Sequence, residues 1–300
     1  MDRLGKRLGN GMRLVASHRV EGGGHRVAED AVIVEDALTI DVAGVGSYTL
    51  MWTPTSAQAV AHGYVAGDGF LGGGKESEAL ALALGFTFTE GIIDGLHDVA
   101  TLAVCPDNPG VVRMRLADPE RVSVRRRNVV MNSSCGVCGG RDMIETLGAA
   151  DCRVGDGLRL PASLLHRLMA DMQARQTVFA NTGGAHAAAI FGPGGDILAI
   201  DEDIGRHNAL DKVIGRCIVE GRPLRGNGVV LSSRISLEMV AKAARAGFQV
   251  VAAMSAPTSL AVDCAERWGI TLCGFVRGDR LTVYTSPWRV EDIGASGRIH

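Results

Sequence analysis

Between Ala31 and Leu50 the apolar residues recur at even spacing. Val32, Val34, Leu38, Ile40 and Val42 share one parity, and Gly44 to Ser47 supplies a turn. This spacing predicts strands that bury one face. Val99 to Val104, Val111 to Leu116 and Arg121 to Val130 predict further strands. Past Gly157 the period changes. Pro161 to Gln176 sets Leu164, Leu165, Leu168 and Met172 on one helical face. Strands are then predicted at His186 to Phe191 and Asp196 to Asp201, around the turn Gly192-Pro193-Gly194-Gly195. A helix at Asn208 to Val219 and a strand at Gly228 to Ser232 follow. Leu237 to Arg245 reads as a helix closed by Gly247, Val250 to Met254 as a strand, and Ser259 to Trp268 as a helix closed by Gly269. Ile270 to Phe275 and Arg280 to Thr285 complete the set. Short apolar strands alternating with helices predict an α/β sheet of three layers in this half.

Three stretches break the pattern. Residues 1–30 are rich in Gly and Arg without a period, so a flexible N-terminal arm is expected. Ala61 to Leu71 parallels Ala83 to Ile93 at a shift of 22 residues, with Gly72-Gly73-Gly74 between them, which reads as a local duplication. Residues 133–140 fit neither helix nor strand. The expected organisation is an arm over 1–30, a strand-rich domain over 31–155 ending in the 133–140 loop, and an α/β domain over 156–290.

Composition narrows the function classes. The chain has 300 residues with a formal charge of −2, so bulk affinity for nucleic acid or membrane is not expected. No apolar run approaches the ~18 residues of a spanning helix, and the first residues lack a signal-peptide pattern. Seven cysteines are present. Cys105, Cys152, Cys217, Cys264 and Cys273 stand singly among apolar neighbours, which suits a reducing cytoplasm better than a disulfide framework.

The remaining two are Cys135 and Cys138, in Ser133-Ser134-Cys135-Gly136-Val137-Cys138-Gly139-Gly140. Structural zinc needs four ligands, and no second pair exists. Deaminase zinc needs His-x-Glu ahead of the cysteines. Here His186-Ala187-Ala188 follows them and lacks the acid. Two readings stay open: a thiol–disulfide couple, or a thiolate that carries sulfane sulfur as a persulfide. Spacing does not separate them.

Other candidates sit at strand-to-helix junctions, where backbone N–H groups and a positive dipole end favour anions. His186 follows Asn181-Thr182-Gly183-Gly184-Ala185. Arg206 and His207 lie in Glu202 to Lys212, and Arg234 precedes Ser236, the expected N-cap of the next helix. Met254 to Ser259 is another such turn. In Gly274 to Arg280, Arg277 and Arg280 flank Gly278 and suit a diphosphate, and Phe275 suits a base. Arg125-Arg126-Arg127 reads as a solvated strand end.

Thr53-Pro54, Gly85-Phe86 with Glu90-Gly91-Ile92-Ile93, Ser134-Cys135-Gly136-Val137-Cys138-Gly139 and Thr182-Gly183-Gly184-Ala185-His186 occur in this order. Glu202 to Lys212, Ser236-Leu237-Glu238-Met239, Ser255-Ala256-Pro257-Thr258 and Gly274-Phe275-Val276-Arg277-Gly278 follow. Together they resemble the FdhD family, accessory sulfurtransferases required for formate dehydrogenase activity. The resemblance runs from about Val32 to Thr285. It implies an α+β chain with a cytidine-deaminase-like three-layer α/β/α C-terminal domain and a smaller strand-rich N-terminal one. It implies a persulfide on Cys135 with Cys138 as its partner, and sulfur supplied by a cysteine desulfurase. The acceptor it implies is the molybdenum or tungsten bis(molybdopterin guanine dinucleotide) cofactor, before insertion into formate dehydrogenase. Phe275, Val276, Arg277, Gly278, Asp279 and Arg280 fall on the cofactor-contacting segment. A homodimer and a cytoplasmic site are expected. A delivery chaperone for the cofactor and a thiol–disulfide oxidoreductase are the alternatives. Residues 58–80 look inserted relative to the family pattern, and Ser233 stands where Gly is common.

Overall fold

The computed structural model describes residues 7–9, 11–55, 63–72, 76–120 and 153–293. Arg121 to Val130 lies outside the described residues; the other period-2 segments form the expected strands. β4 (Asp36–Val42) and β5 (Gly46–Trp52) pair antiparallel, as do β8 (Val99–Cys105) and β9 (Asn108–Leu116), while β4 lies parallel to β9. With β6 (Gly63–Val65) and β7 (Gly69–Leu71) added at one edge, these strands make a six-stranded sheet ordered β5-β4-β9-β8-β6-β7. Leu38, Ile40, Val42, Leu50, Trp52, Leu102 and Val112 line its buried face.

The sequence duplication does not survive as structure. Gly63 to Leu71 is the β6–β7 hairpin, turning through Gly67 and Gly69 at positive φ. The matching Ala83 to Thr89 belongs to α1 (Glu78–Thr89), capped by Ser77, whose side chain accepts the Leu80 N–H. Glycines every two to four residues favour a hairpin in the first copy. The Ala-Leu run from residue 79 to 84 favours a helix in the second.

The expected loose arm is also replaced by structure. β1 (Arg7–Gly9) pairs with the start of β2 (Met12–Glu21), and β2 pairs along its whole length with β3 (Gly24–Ile33). Gly22 and Gly23, at φ 58° and 83°, form the two-residue turn that a twisted hairpin requires. Met12, Leu14, Ala16, His18 and Val20 share a face with Ile33, Ala31, Glu29, Val27 and His25. Polar members hide the alternation from a reading of the sequence.

The second half builds the expected three layers. Its sheet runs β11 (Ile197–Asp203), β10 (His186–Phe191), β12 (Gly228–Leu231), β13 (Val250–Ala253), β14 (Thr271–Arg277), β15 (Arg280–Thr285). β12, β13 and β14 are parallel and the outer pairings antiparallel. On one face α2 (Ala162–Ala174) covers Ala187, Ala189, Phe191, Val230, Val250 and Ala252. A short α3 (Thr177–Thr182) follows, closed by Gly183 at positive φ. The other face carries α4 (Arg206–Val219), α5 (Leu237–Ala246) and α6 (Ser259–Trp268), and α1 joins this layer from the first half. One continuous core therefore spans both sheets.

The crossing of α1 and α4 sets their distance. A Cβ on Gly85 would lie 1.8 Å from the Asp211 carbonyl oxygen, and one on Gly215 would lie 1.7 Å from that of Ala81. Backbone rests on backbone, which only glycine allows. Gly215→Ala should destabilise the protein by about 3 kcal/mol or more by overpacking. Chemical denaturation checks this, and an unchanged midpoint would show that the helices separate freely.

Candidate active-site rim

In the parallel block, strand C-termini and helix N-termini collect at one edge of the sheet, the usual ligand edge of an open α/β fold. β10 runs against β12, with Ala188 opposite Leu231, so its first residue, His186, comes to that edge. His186 pairs with Asp203, the last residue of β11, and α4 begins three residues later. Arg234 lies between β12 and α5, and Phe275 to Arg280 links β14 to β15. Four segments distant in sequence therefore form one rim.

Backbone contacts fix these turns. Ile235 N–H donates to Ala256 O (3.2 Å) and Thr258 N–H to Ile235 O (2.9 Å). Phe275 N–H donates to Ser255 O (3.2 Å), and Arg277 Nε to Met254 O (2.9 Å). At Gly274 a Cβ would meet Pro257 at 3.0 Å and Ser255 O at 3.1 Å. Phe275 adopts φ +54°, rare for a bulky residue, at an irregularity in the β14–β15 pairing. Such a conformation persists only where neighbours enforce it. The residue is 37% exposed. Val276 is buried, while Arg277, Gly278, Asp279 and Arg280 are exposed.

The rim is rich in donors and cations. α6 is capped by Thr258, but neither Gly205 at α4 nor Ser236 at α5 supplies a side-chain cap. Ser236 was the expected cap, yet its Oγ is buried without a hydrogen-bond partner among the described residues. So is Arg206 Nε. His207 Nε2 lies 2.7 Å from Glu238 Oε2. Burial, reinforced by the positive charges of Arg206, His207 and Arg234, pushes the His186 imidazole below its ordinary value, against the weaker pull of Asp203.

Beneath the rim the run Glu202 to Lys212 divides into two jobs. Lys212 is fully buried. Its Nζ lies 2.9 Å from Asp203, donates to Thr53 O (2.7 Å) and Glu202 O (3.0 Å), and sits over the Trp52 ring at 5.1 Å. Burial works against its charge, but Asp203, Glu78 and Asp201 outweigh it and hold its pKa above the ordinary value. Asp203 also accepts from Thr53 N–H (3.0 Å), Gly205 N–H (2.8 Å) and Asn208 Nδ2 (3.0 Å). Glu202 caps α3 by accepting from Val178 and Phe179 N–H. Asp211 pairs with Lys242 at 2.8 Å. Only Arg206 and His207 of this run stay at the rim. Sequence reasoning missed the roles of Thr53, Asp203 and Glu238. Their residue types gave no sign of which way they point.

Cys135 and Cys138 lie outside the described residues, as do Cys152 and Arg125-Arg126-Arg127. The chain is described up to Glu120 and again from Arg153. Ala117 N–H donates to Asp98 O, Arg245 at the end of α5 binds Asp94, and Val154 N–H donates to Trp268 O at the end of α6. Both flanks thus sit at the edge opposite the rim. The other four cysteines are buried. Burial pushes the Cys217 and Cys273 thiols up to about 12 and raises that of Cys264, so these are not nucleophiles. No described cluster of three or more His, Cys, Asp or Glu is placed to hold a metal. No described helix is long and apolar enough to cross a membrane.

An open α/β sheet with a cationic, donor-rich rim at its strand ends has the chemistry of an anion-binding edge. Comparison with known proteins specifies it further. The FdhD/NarQ family model matches residues 76–291. The sulfur carrier protein FdhD of Sulfurisphaera tokodaii is 42% identical over 210 residues, covering 70% of this chain and 79% of that protein. That of Anaeromyxobacter sp. strain K is 40% identical over 278 residues, covering 87% and 88%. The crystal structure of a protein assigned as a formate dehydrogenase accessory protein from Desulfotalea psychrophila has the same fold. Its TM-score is 0.68 at 21% identity, and the match covers 93% of this chain and 99% of that one. The chain belongs to the FdhD/NarQ family.

Two outcomes follow from the geometry. Lys212→Met leaves Asp203 buried without its cation and should cost about 3–5 kcal/mol in denaturant unfolding. A loss under 1 kcal/mol would mean Asp203 is satisfied by its amides alone. For His186, the folded state binds the proton less readily than the unfolded chain. Its contribution is complete above the ordinary histidine value of about 6.5 and declines as pH falls through the lower folded value. Wild type should therefore lose more stability than His186→Asn between pH 7.5 and 5, and parallel losses would refute this.

Proposed function

We propose that this protein is a sulfur carrier that sulfurates the bis(molybdopterin guanine dinucleotide) cofactor before its insertion into formate dehydrogenase. One observation carries the reading. In a chain whose relatives are named sulfur carriers, Cys217, Cys264 and Cys273 are disabled by burial and Cys105 is buried too. Cys152 has no second thiol beside it in sequence, so sulfur chemistry falls to Cys135 and Cys138.

In the first step the Cys135 thiolate attacks the outer sulfur of a persulfide on a cysteine desulfurase. The donor's S–S bond breaks, a new one forms on Cys135, and the donor leaves as its thiol. In the second step the Cys138 thiolate attacks the inner sulfur. This forms a Cys135–Cys138 disulfide and releases hydrosulfide for the metal of the cofactor. An external dithiol then reduces the disulfide. The cofactor is the substrate, and its phosphates suit the rim of His186, Arg206, His207 and Arg234, with a guanine on Phe275 beside Arg277 and Arg280. Cys135 is 15 residues beyond Glu120. Fifteen residues span at most about 50 Å, against about 15 Å for the ten residues of α5, so chain length alone permits the thiol to reach the rim. A reducing cytoplasm suits such a thiol, and the cofactor's two nucleotide arms suit a homodimer.

Incubation with a cysteine desulfurase and cysteine should add one sulfur to the peptide holding Cys135, lost on reduction and absent in Cys135→Ala, as read by mass spectrometry. No added sulfur from an active donor would turn the reading into a delivery chaperone. Turnover of a general dithiol substrate without sulfur loading would make it an oxidoreductase.

A further inference from the structure

The rim holds an imbalance of charge that its own residues do not resolve. Arg206, His207 and Arg234 face His186 from α4 and from the β12–α5 turn, and among the described residues the carboxylates of Asp203 and Glu238 lie against this group. Asp203 is already committed to Lys212, Thr53, Gly205 and Asn208, and Glu238 on α5 lies against His207. Arg206 Nε and Ser236 Oγ are buried with no partner among the described residues. Buried donors of this kind call for an acceptor. The α4 and α5 amides, without side-chain caps, point to the same need.

His186 is fixed among these groups. It pairs with Asp203 across the β10–β11 ladder. Its neighbour Ala187 accepts from Ser232 N–H (3.0 Å) and donates to Ser232 Oγ (2.8 Å), two residues before Arg234. The backbone at His186 is thus held beside the arginines.

We propose that an oxyanion seated against Arg206 and Arg234 binds together with one proton, which is taken up on His186. The inference rests on the reading of this rim as the site for the cofactor's phosphates. In the free protein, burial and the fields of Arg206, His207 and Arg234 hold the imidazole below its ordinary value. The anion's charge offsets that of the arginines, so protonation of the imidazole becomes more favourable than in the free protein. By linkage, the proton must then favour the anion equally. Binding tightens on acidification, by up to tenfold per pH unit while the proton is taken up. Loss of that proton weakens the rim's hold and favours release.

Sulfate serves as the probe because it does not titrate between pH 5.5 and 8. The His186 ring resonance, assigned by its absence in His186→Asn, is followed by NMR across that range with and without saturating sulfate. Its midpoint should rise by about one pH unit, and the rise should shrink in Arg234→Ala, a change at an exposed position. If His186→Asn does not fold, selective histidine labelling supplies the assignment. Sulfate that shifts other rim resonances while the His186 midpoint stays fixed would overturn the proton coupling alone. Sulfate that shifts no rim resonance would overturn the coupling and the anion site together.

Discussion

Lys212 places a full positive charge where no water reaches, at a point where three elements meet. An ammonium removed from water without partners costs several kcal/mol. Here Asp203, Thr53 O and Glu202 O surround the Nζ, and the Trp52 face covers it. Thr53 closes β5, Glu202 and Asp203 close β11, and Lys212 belongs to α4. One buried charge therefore ties the first sheet, the second sheet and the helix that presents Arg206 and His207. Asp203 then passes this rigidity outward through the Gly205 amide and Asn208, fixing the turn from which the rim residues emerge.

The glycine crossing works on the same two halves by contact rather than charge. Gly85 and Gly215 allow α1 to lie directly on α4. This leaves Asp211 close enough to α1 for Thr89 Oγ1 to donate to it at 2.9 Å and for Lys242 to reach both. Packing and polar satisfaction support each other here. A wider spacing would leave both Asp211 and Lys242 short of partners.

Much of this was legible in the sequence, and the failures have physical causes. β4, β5, β8 and β9 show a clear period of two because one face meets the core. The α/β order of the second half follows from Gly and Ser at each turn. The rim was legible too, since His186, Arg206, His207, Arg234 and the 275–280 turn all sit at predicted junctions. α1 was not, because a helix buried on all sides has no polar stripe to reveal its period. The β2–β3 hairpin was not, because solvent on both faces of its outer half removes the need for alternation. Within Glu202 to Lys212 the letters alone did not show that Asp203 and Lys212 turn inward while His207 stays at the edge. That division depends on where α4 meets β5, which lies 150 residues away.

The placement of α1 has a consequence for how this chain can be divided. Sequence order assigns α1 to the first half, but its side chains complete the core of the second. Cleavage between residues 120 and 153 would leave two polypeptides still joined by the α1–α4 contact and by Thr53 at Lys212. Neither piece would have a full hydrophobic interior of its own. A side chain at Gly85 would strike the backbone of Asp211, one at Gly215 that of Ala81, and Lys212 donates to the Thr53 carbonyl, so the two segments work as one mechanical unit, whatever boundary is drawn between them.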